Sequence, residues 1–484
     1  MNTPVSGRDG QGNEPTGDPP VPGRQAQAGT VPSIPPDTGA ARSGRWAALW
    51  PAWVDRNLGI VLSARFAMSS ARATASVVTA LYLTAEGFSA FELGVLFLCV
   101  TLVSAAMATA IGMLSDRVGR KPFLVTVPLL TSIAAVAFSV SSVPAALFAF
   151  AALGSFGRGQ GAGANNVGPY QPAESAFVTE GVPSGARAAA FGRLAFVSSL
   201  GAIAGGLLAG LASARPHSTG EAAMAAYRPA FVAIAVLAAL AGLVALGLRE
   251  HREHREHREP GYARHGRSRW PRWPRRSWPA LWRFWITNAT NGIAIGMIGP
   301  FMSYWLFRRY GASPAGIGLL FAVVNVGSLA STLAAAGIAR RFGTVRVITA
   351  VRGLTGLLLV PMALAPTFWL AGGIYFVRML VQRVGLPLRQ SFTQDMADPG
   401  ERASVAALSN VPAQGTMAGS QVLAGYLFDE ISLAAPFELA AVAQCANAVL
   451  YGALFGWRPP HRPPDAARHP GAPATEEPAS PPPT

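Results

Sequence analysis

Lysine is almost missing from this chain of 484 residues: Lys121 stands alone, and every other basic side chain apart from histidine is an arginine. Cysteine is nearly as scarce. Cys99 and Cys445 both fall inside apolar segments, which excludes a disulfide framework. Charged residues make up only 13%, against roughly 25% in an ordinary soluble domain. Hydrophobic residues reach 51% and the mean hydropathy is +0.32, a balance that excludes a soluble fold even of several domains. Acids are outnumbered, giving a net charge of +15. The basic residues cluster between apolar segments rather than along one face, which argues against a nucleic-acid partner. There is no phosphate-binding loop, nucleophile elbow or metal-ligand spacing. The sequence thus gives no footing for an enzyme, a cofactor, a metal or an ATP-driven pump. The first fifty residues lack an apolar core long enough for a signal peptide.

What the chain has instead is long apolar segments. They run at about 58–83, 90–114, 122–142, 144–178, 190–213 and 226–248, then at 281–307, 314–338, 345–365, 367–389, 403–427 and 432–456. Each suffices for a membrane helix of roughly 20 residues. The fourth is interrupted by Gly161, Gly163, Gly168, Pro169 and Pro172. The layout predicts an all-α polytopic membrane protein with twelve transmembrane helices in two six-helix bundles, 51–248 and 281–456. Residues 1–50 and 457–484, rich in Pro and Gly, read as disordered tails.

Residues 249–280 form a basic linker. Its tandem His251-Arg252-Glu253, His254-Arg255-Glu256, His257-Arg258-Glu259 reads as a solvated mixed-charge helix, because the interleaved arginines would repel a metal ion. Trp270, Trp273, Trp278 and Trp282 read as an interfacial anchor leading into the seventh span.

The halves repeat each other. Phe177-Val178-Thr179-Glu180, followed by Gly185-Ala186-Arg187-Ala188, aligns at one constant spacing with Phe392-Thr393-Gln394-Asp395, followed by Gly400-Glu401-Arg402-Ala403. Arginine placement sets the orientation. Arg117, Arg120, Lys121, Arg187, the linker cluster, Arg340, Arg341, Arg346 and Arg402 all fall on the side of the termini, which predicts both termini in the cytoplasm at the inner membrane.

The loop Gly112-Met113-Leu114-Ser115-Asp116-Arg117-Val118-Gly119-Arg120-Lys121 joins the second and third segments, and its four charges confine it to the membrane surface. It resembles the signature G-x-L-[AS]-D-[RK]-x-G-R-[RK] of the major facilitator superfamily at every defined position. The resemblance covers about 58–456. It implies two six-helix bundles rocking around a central cavity, with Gly112, Asp116, Arg117, Gly119, Arg120 and Lys121 as a gating loop on the cytoplasmic side. Gly337-Ile338-Ala339-Arg340-Arg341-Phe342-Gly343 echoes that loop in the second half, with Arg340 where Asp116 stands. An acid-based latch is therefore expected in the first half alone.

Ionisable side chains deep in a span are functional candidates by default. Arg72, mid-span in the first segment, leads them, either as an anion-binding group or as a partner in exchanging salt bridges. Arg65 lies nearer the cytoplasmic end and is expected to snorkel. Arg158 opens Arg158-Gly159-Gln160-Gly161-Ala162-Gly163, which resembles the R-x-x-Q-G-x-G motif of proton-coupled exporters in the superfamily but lacks one residue, a turn of about 100° on a helix. Glu174 is the best placed carboxylate for proton coupling, since the middle of the first span holds no acid. In the second half Asn288, Asn291 and Asn325 read mainly as amides joining helices. Arg378 and Gln382, four apart, share a helix face.

These readings, with the resemblance, imply a monomeric secondary active transporter of a small organic molecule in the lipid bilayer, leaning to efflux with protons as the coupling ion. Uptake of a sugar, amino acid or organic anion is the alternative, and Arg72 without a deep first-span acid suits an anion. A transporter-like sensor or assembly factor is a reading of another class.

Overall fold

The computed structural model describes residues 55–141, 143–157, 168–211, 220–249, 274–398, 401, 404–405 and 408–456. The tails, the His-Arg-Glu repeat, Arg402 and Arg158 with its glycine run lie outside the described residues. Within them the chain is helical, and every apolar segment becomes one helix or two. The first half comprises α1 (Arg56–Ala85), α2 (Ala90–Val118), α3 (Lys121–Val140), α4 (Pro144–Gly154), α5 (Gln171–Gly181), α6 (Arg187–Leu208) and α7 (Gly220–Ala245). The second comprises α8 (Trp278–Ile298), α9 (Met302–Tyr310), α10 (Pro314–Phe342), α11 (Thr344–Leu357), α12 (Leu359–Leu364), α13 (Phe368–Asp395), α14 (Val411–Glu430) and α15 (Ala435–Phe455).

Helix starts and breaks follow local chemistry. Asp55 caps α1, its side chain accepting from the Leu58 N–H at 2.8 Å, and Ser89 with Glu92 closes a capping box on α2. The seventh segment divides at Gly299-Pro300, where proline offers no N–H to continue α8. The ninth divides after Leu357, four residues before Pro361, whose ring would strike that carbonyl.

Six stretches among the described residues are long and apolar enough to cross a membrane: α2, α3, α6 with its 3-10 extension, α7, α11 with α12, and α15. The other long helices carry polar groups in their interiors, such as Arg65 and Arg72 in α1 or Arg378, Gln382 and Arg383 in α13.

The packing reproduces the sequence repeat. In the first half α1 packs on α6 and α7, and α3 on α7 and α4; in the second α8 packs on α14 and α15, and α11 on α15 and α13. Replacing α1, α3, α4, α6 and α7 by α8, α11, α13, α14 and α15 turns one set into the other. The contacts between halves obey the same exchange, with α2 on α14 and α6 on α10.

On the side away from the termini the halves are sealed. The Asp429 carboxylate at the end of α14 accepts from the N–H groups of Ala90 and Phe91, at 3.1 and 2.7 Å, and so caps α2 of the other half. Phe301 lies between Phe97 and Phe428, each with ring centroids 5.2 Å away. Deeper, the hydroxyl of Ser303 donates to the Ser76 carbonyl at 3.2 Å, and Thr101 meets the Gln421 amide at 3.2 Å. Beside this seal α6 and α10 touch backbone to backbone: a Cβ added at Gly206 would stand 2.6 Å from the Gly318 carbonyl oxygen.

Gly318→Val should therefore push the halves apart and destabilise this closed arrangement by about 1–3 kcal/mol, the usual cost of overpacking. The measure is labelling of a Ser303→Cys thiol by a membrane-impermeant reagent. It should speed up in the Gly318→Val background, and an unchanged rate would show that the halves do not bear on each other here.

Candidate functional site

Two buried polar clusters occupy corresponding places in the halves. In the first, Arg65 of α1 is 4% exposed and Glu174 of α5 is 2% exposed, and they form an ion pair. Arg65 Nε also donates to the Ser198 hydroxyl on α6 at 2.6 Å, and the Ser69 hydroxyl donates to Ser198 at 3.3 Å. Arg65 thus does not snorkel to the surface: Glu174 gives it a counter-charge inside the bundle, so the long side chain turns inward.

Arg72 braces the break between α4 and α5. Its Nη2 donates to the Ser155 carbonyl at 3.2 Å, and Ser155 ends α4 in the left-handed region at φ 54°. The guanidinium also covers Gly168, which has φ +115° and where a Cβ would lie 2.8 Å from Nη1. Only glycine suits both that backbone and that neighbour.

The second cluster surrounds a cavity of about 270 Å³ bounded by α8, α11, α13, α14 and α15. Three arginines line it: Arg352 from α11, with Arg383 and Arg389 from α13. Amides complete the polar lining, among them Asn291, Gln382, Gln414, Gln421 and Gln444. Among the described residues no carboxylate lines it, and the sequence has no Asp or Glu between Trp278 and Gln394. Arg352 is fixed in place. Its Nη1 donates to the Asn291 side-chain oxygen at 2.8 Å and to that of Asn447, whose own amide donates to the Thr287 carbonyl. Its guanidinium carbon stands 5.4 Å from the centroid of the Tyr451 ring. Arg383 differs: its Nε is buried without a hydrogen-bond partner among the described residues.

The structure sorts the candidates accordingly. Asn291 and Gln382 line the cavity. Asn288 donates to the Ser409 carbonyl at 2.8 Å, joining α8 to the start of α14, and Asn325 donates within its own helix to Phe321 at 2.8 Å. Arg378 turns from the cavity to the Thr355 carbonyl at 3.2 Å, so its helical neighbour Gln382 serves another purpose. Sequence reasoning passed over Arg352, Arg383 and Arg389. Arg352 lies about 12 Å along α11 from its start, and the depth rule that singled out Arg72 applies to it equally.

In the loop between α2 and α3, Asp116 and Arg117 fall in the last turn of α2, with Gly112 a turn earlier and Lys121 opening α3. Gly119 caps α2 at φ 109°, and its N–H donates to the Ser115 carbonyl at 3.1 Å. Gly343 does the same for α10, with φ 83° and a bond to Ala339 at 2.9 Å. Arg120 pairs with Glu180 at 2.7 Å, tying the loop to the end of α5.

A duplicated helical bundle with a polar cavity among its membrane helices defines a multi-pass membrane transporter. The sequence matches the model of the Major Facilitator Superfamily over residues 61–289 and again over 284–482, and the chain belongs to that family. No curated protein matches the sequence significantly. Among solved structures it is similar to the nucleoside transporter NupG, with a TM-score of 0.63 and 14% identity over 83% of this chain and 100% of that one. It is similar also to a bacterial homologue of the human lysosomal transporter Spinster in an inward-facing, occupied conformation (0.60, 16%, 82% and 94%). An auto-inhibited POT family peptide transporter gives 0.63 at 11% identity, over 84% and 99%. At these identities the likeness speaks for the fold.

Proposed function

We propose that this protein is a secondary active transporter that binds a small organic anion in the cavity of its second half and carries it by alternating access. The carrying observation is a membrane cavity lined by three arginines and no acid. A guanidinium offers planar, bidentate donors matched to carboxylate and phosphate, and the amides around it suit hydroxyl or carbonyl groups on the rest of the molecule. A cation would meet only repulsion there. Proton-coupled efflux would have to run through Glu174, which stands outside that lining in a pair with Arg65, so the site supports anion carriage over that reading. The arginine distribution supports both termini on the cytoplasmic side of the inner membrane.

Thermal unfolding of the full chain in detergent tests this against succinate, citrate, inorganic phosphate and glucose 6-phosphate, with nucleosides, neutral sugars and organic cations alongside. A bound anion at a hundred times its Kd should stabilise the fold by about 2.7 kcal/mol. Stabilisation by neutral compounds or cations alone would overturn the reading.

A further inference from the structure

We infer that this transporter is an obligate anion exchanger: the cavity of the second half recrosses the membrane only when an anion fills it. The inference rests on the organic-anion reading above and adds how that transport is driven.

It comes from comparing the halves. In the first, the buried Arg65 has its counter-charge built in, since Glu174 pairs with it across α1 and α5. The constant spacing that aligns Phe177 with Phe392 and Glu180 with Asp395 also aligns Pro172 with Pro387 and Glu174 with Arg389. At the seat of the internal acid the second half therefore carries another cation. Arg389 lines the cavity with Arg352 and Arg383. The two ion pairs among the described residues, Arg65–Glu174 and Arg120–Glu180, both belong to the first half. The rest of the described cavity lining is uncharged, and neutral groups hold Arg352: Asn291 and Asn447 accept from it, and the Tyr451 ring lies beside it.

Arg65 of the first half is thus neutralised by its own sequence, while the cavity of the second awaits a charge from outside. Alternating access passes through a state closed at both ends. Closing removes water from the cavity, and repulsion among like charges grows as the dielectric falls. An anion supplies the opposite charge and the acceptors that Arg383 lacks, so the loaded carrier crosses and the empty one stalls. Nor can a proton take the place of the cargo, because no carboxylate among the described residues lines the cavity to bind one. Each passage of an anion one way must then be answered by an anion passing the other way.

The test is entry of label into proteoliposomes containing the full chain. [14C]Succinate, [14C]citrate, [33P]phosphate and [14C]glucose 6-phosphate are each presented to vesicles loaded with the same unlabelled anion or with sucrose alone. At least one label should enter anion-loaded vesicles tenfold or more faster than sucrose-loaded ones, unaffected by a protonophore. Arg389→Gln should reduce that ratio below threefold by letting the less charged cavity return empty, whereas Arg389→Lys should keep it high. Matched thermal unfolding of the variants separates this from misfolding. Equal entry under both loadings, or entry abolished by the protonophore, would overturn exchange and leave anion transport standing. Entry of no anion under either loading would overturn the anion reading and exchange with it.

Discussion

Glu174→Leu alone should lower the stability of the protein by about 3–5 kcal/mol, while the double variant Arg65→Met/Glu174→Leu should recover most of that loss. Removing Glu174 takes from Arg65, which is 4% exposed, the carboxylate that it pairs with inside the bundle. Removing both leaves apolar groups of similar volume between α1 and α5, and the cost of desolvating two ions disappears with them. Denaturant unfolding of Arg65→Met, Glu174→Leu and the double variant gives the cycle. Equal losses in single and double variants would show that Arg65 and Glu174 do not act as a unit. The contrast with Arg120–Glu180 sharpens the expectation, because Glu180 is 64% exposed there and water screens the pair. Such surface pairs contribute about 0–1 kcal/mol, and Glu180→Gln should change stability by no more.

Arg383→Gln should weaken the anion that best stabilises the protein by roughly 10–100-fold, since a hydrogen bond to a charged group contributes about 1.5–3 kcal/mol. The side chain lines the cavity with a buried donor that the protein leaves unused. Stability should change little, because no described hydrogen bond is lost. Arg352→Gln should cost both affinity and stability, as Arg352 also holds Asn291 and Asn447. Arg378→Gln should leave affinity unchanged, its guanidinium being turned to the Thr355 carbonyl. Isothermal titration in detergent separates the three, and equal losses of affinity at Arg378 and Arg383 would place the anion elsewhere.

Most of the fold was legible because hydropathy and helix length are local properties. Among the described residues every apolar segment forms one helix or two, and the repeat seen around Phe177 and Phe392 reappears as matched packing of α1 with α6 and α8 with α14. Gly119 and Gly343 likewise proved equivalent, down to the positive φ and the bond four residues back. The site was less legible. Depth along a span says that a charge needs a partner; it does not say which helix supplies one. Glu174 was recognised as a candidate and Arg65 as an arginine near a membrane surface, yet their pairing depends on how α5 leans on α1. Arg378 and Gln382 show the same limit, because a shared face left open which of the two would meet the cavity. Arg352 stands deep enough along α11 for depth to single it out, but depth does not say that α11 turns it towards the cavity.

The contact of Gly206 with Gly318 has a mechanical meaning. Where two helices meet through glycine backbone and the methyls of Ala209 and Ala322, there is no rotamer to flip, so the joint has little play. A tilt of α6 is handed directly to α10, as a bearing without clearance passes on a rotation. The softer parts of the interface, Phe301 between Phe97 and Phe428, can slide and repack around it. Rigidity at one point is what allows the rest of the seam between the halves to open and close as a single movement.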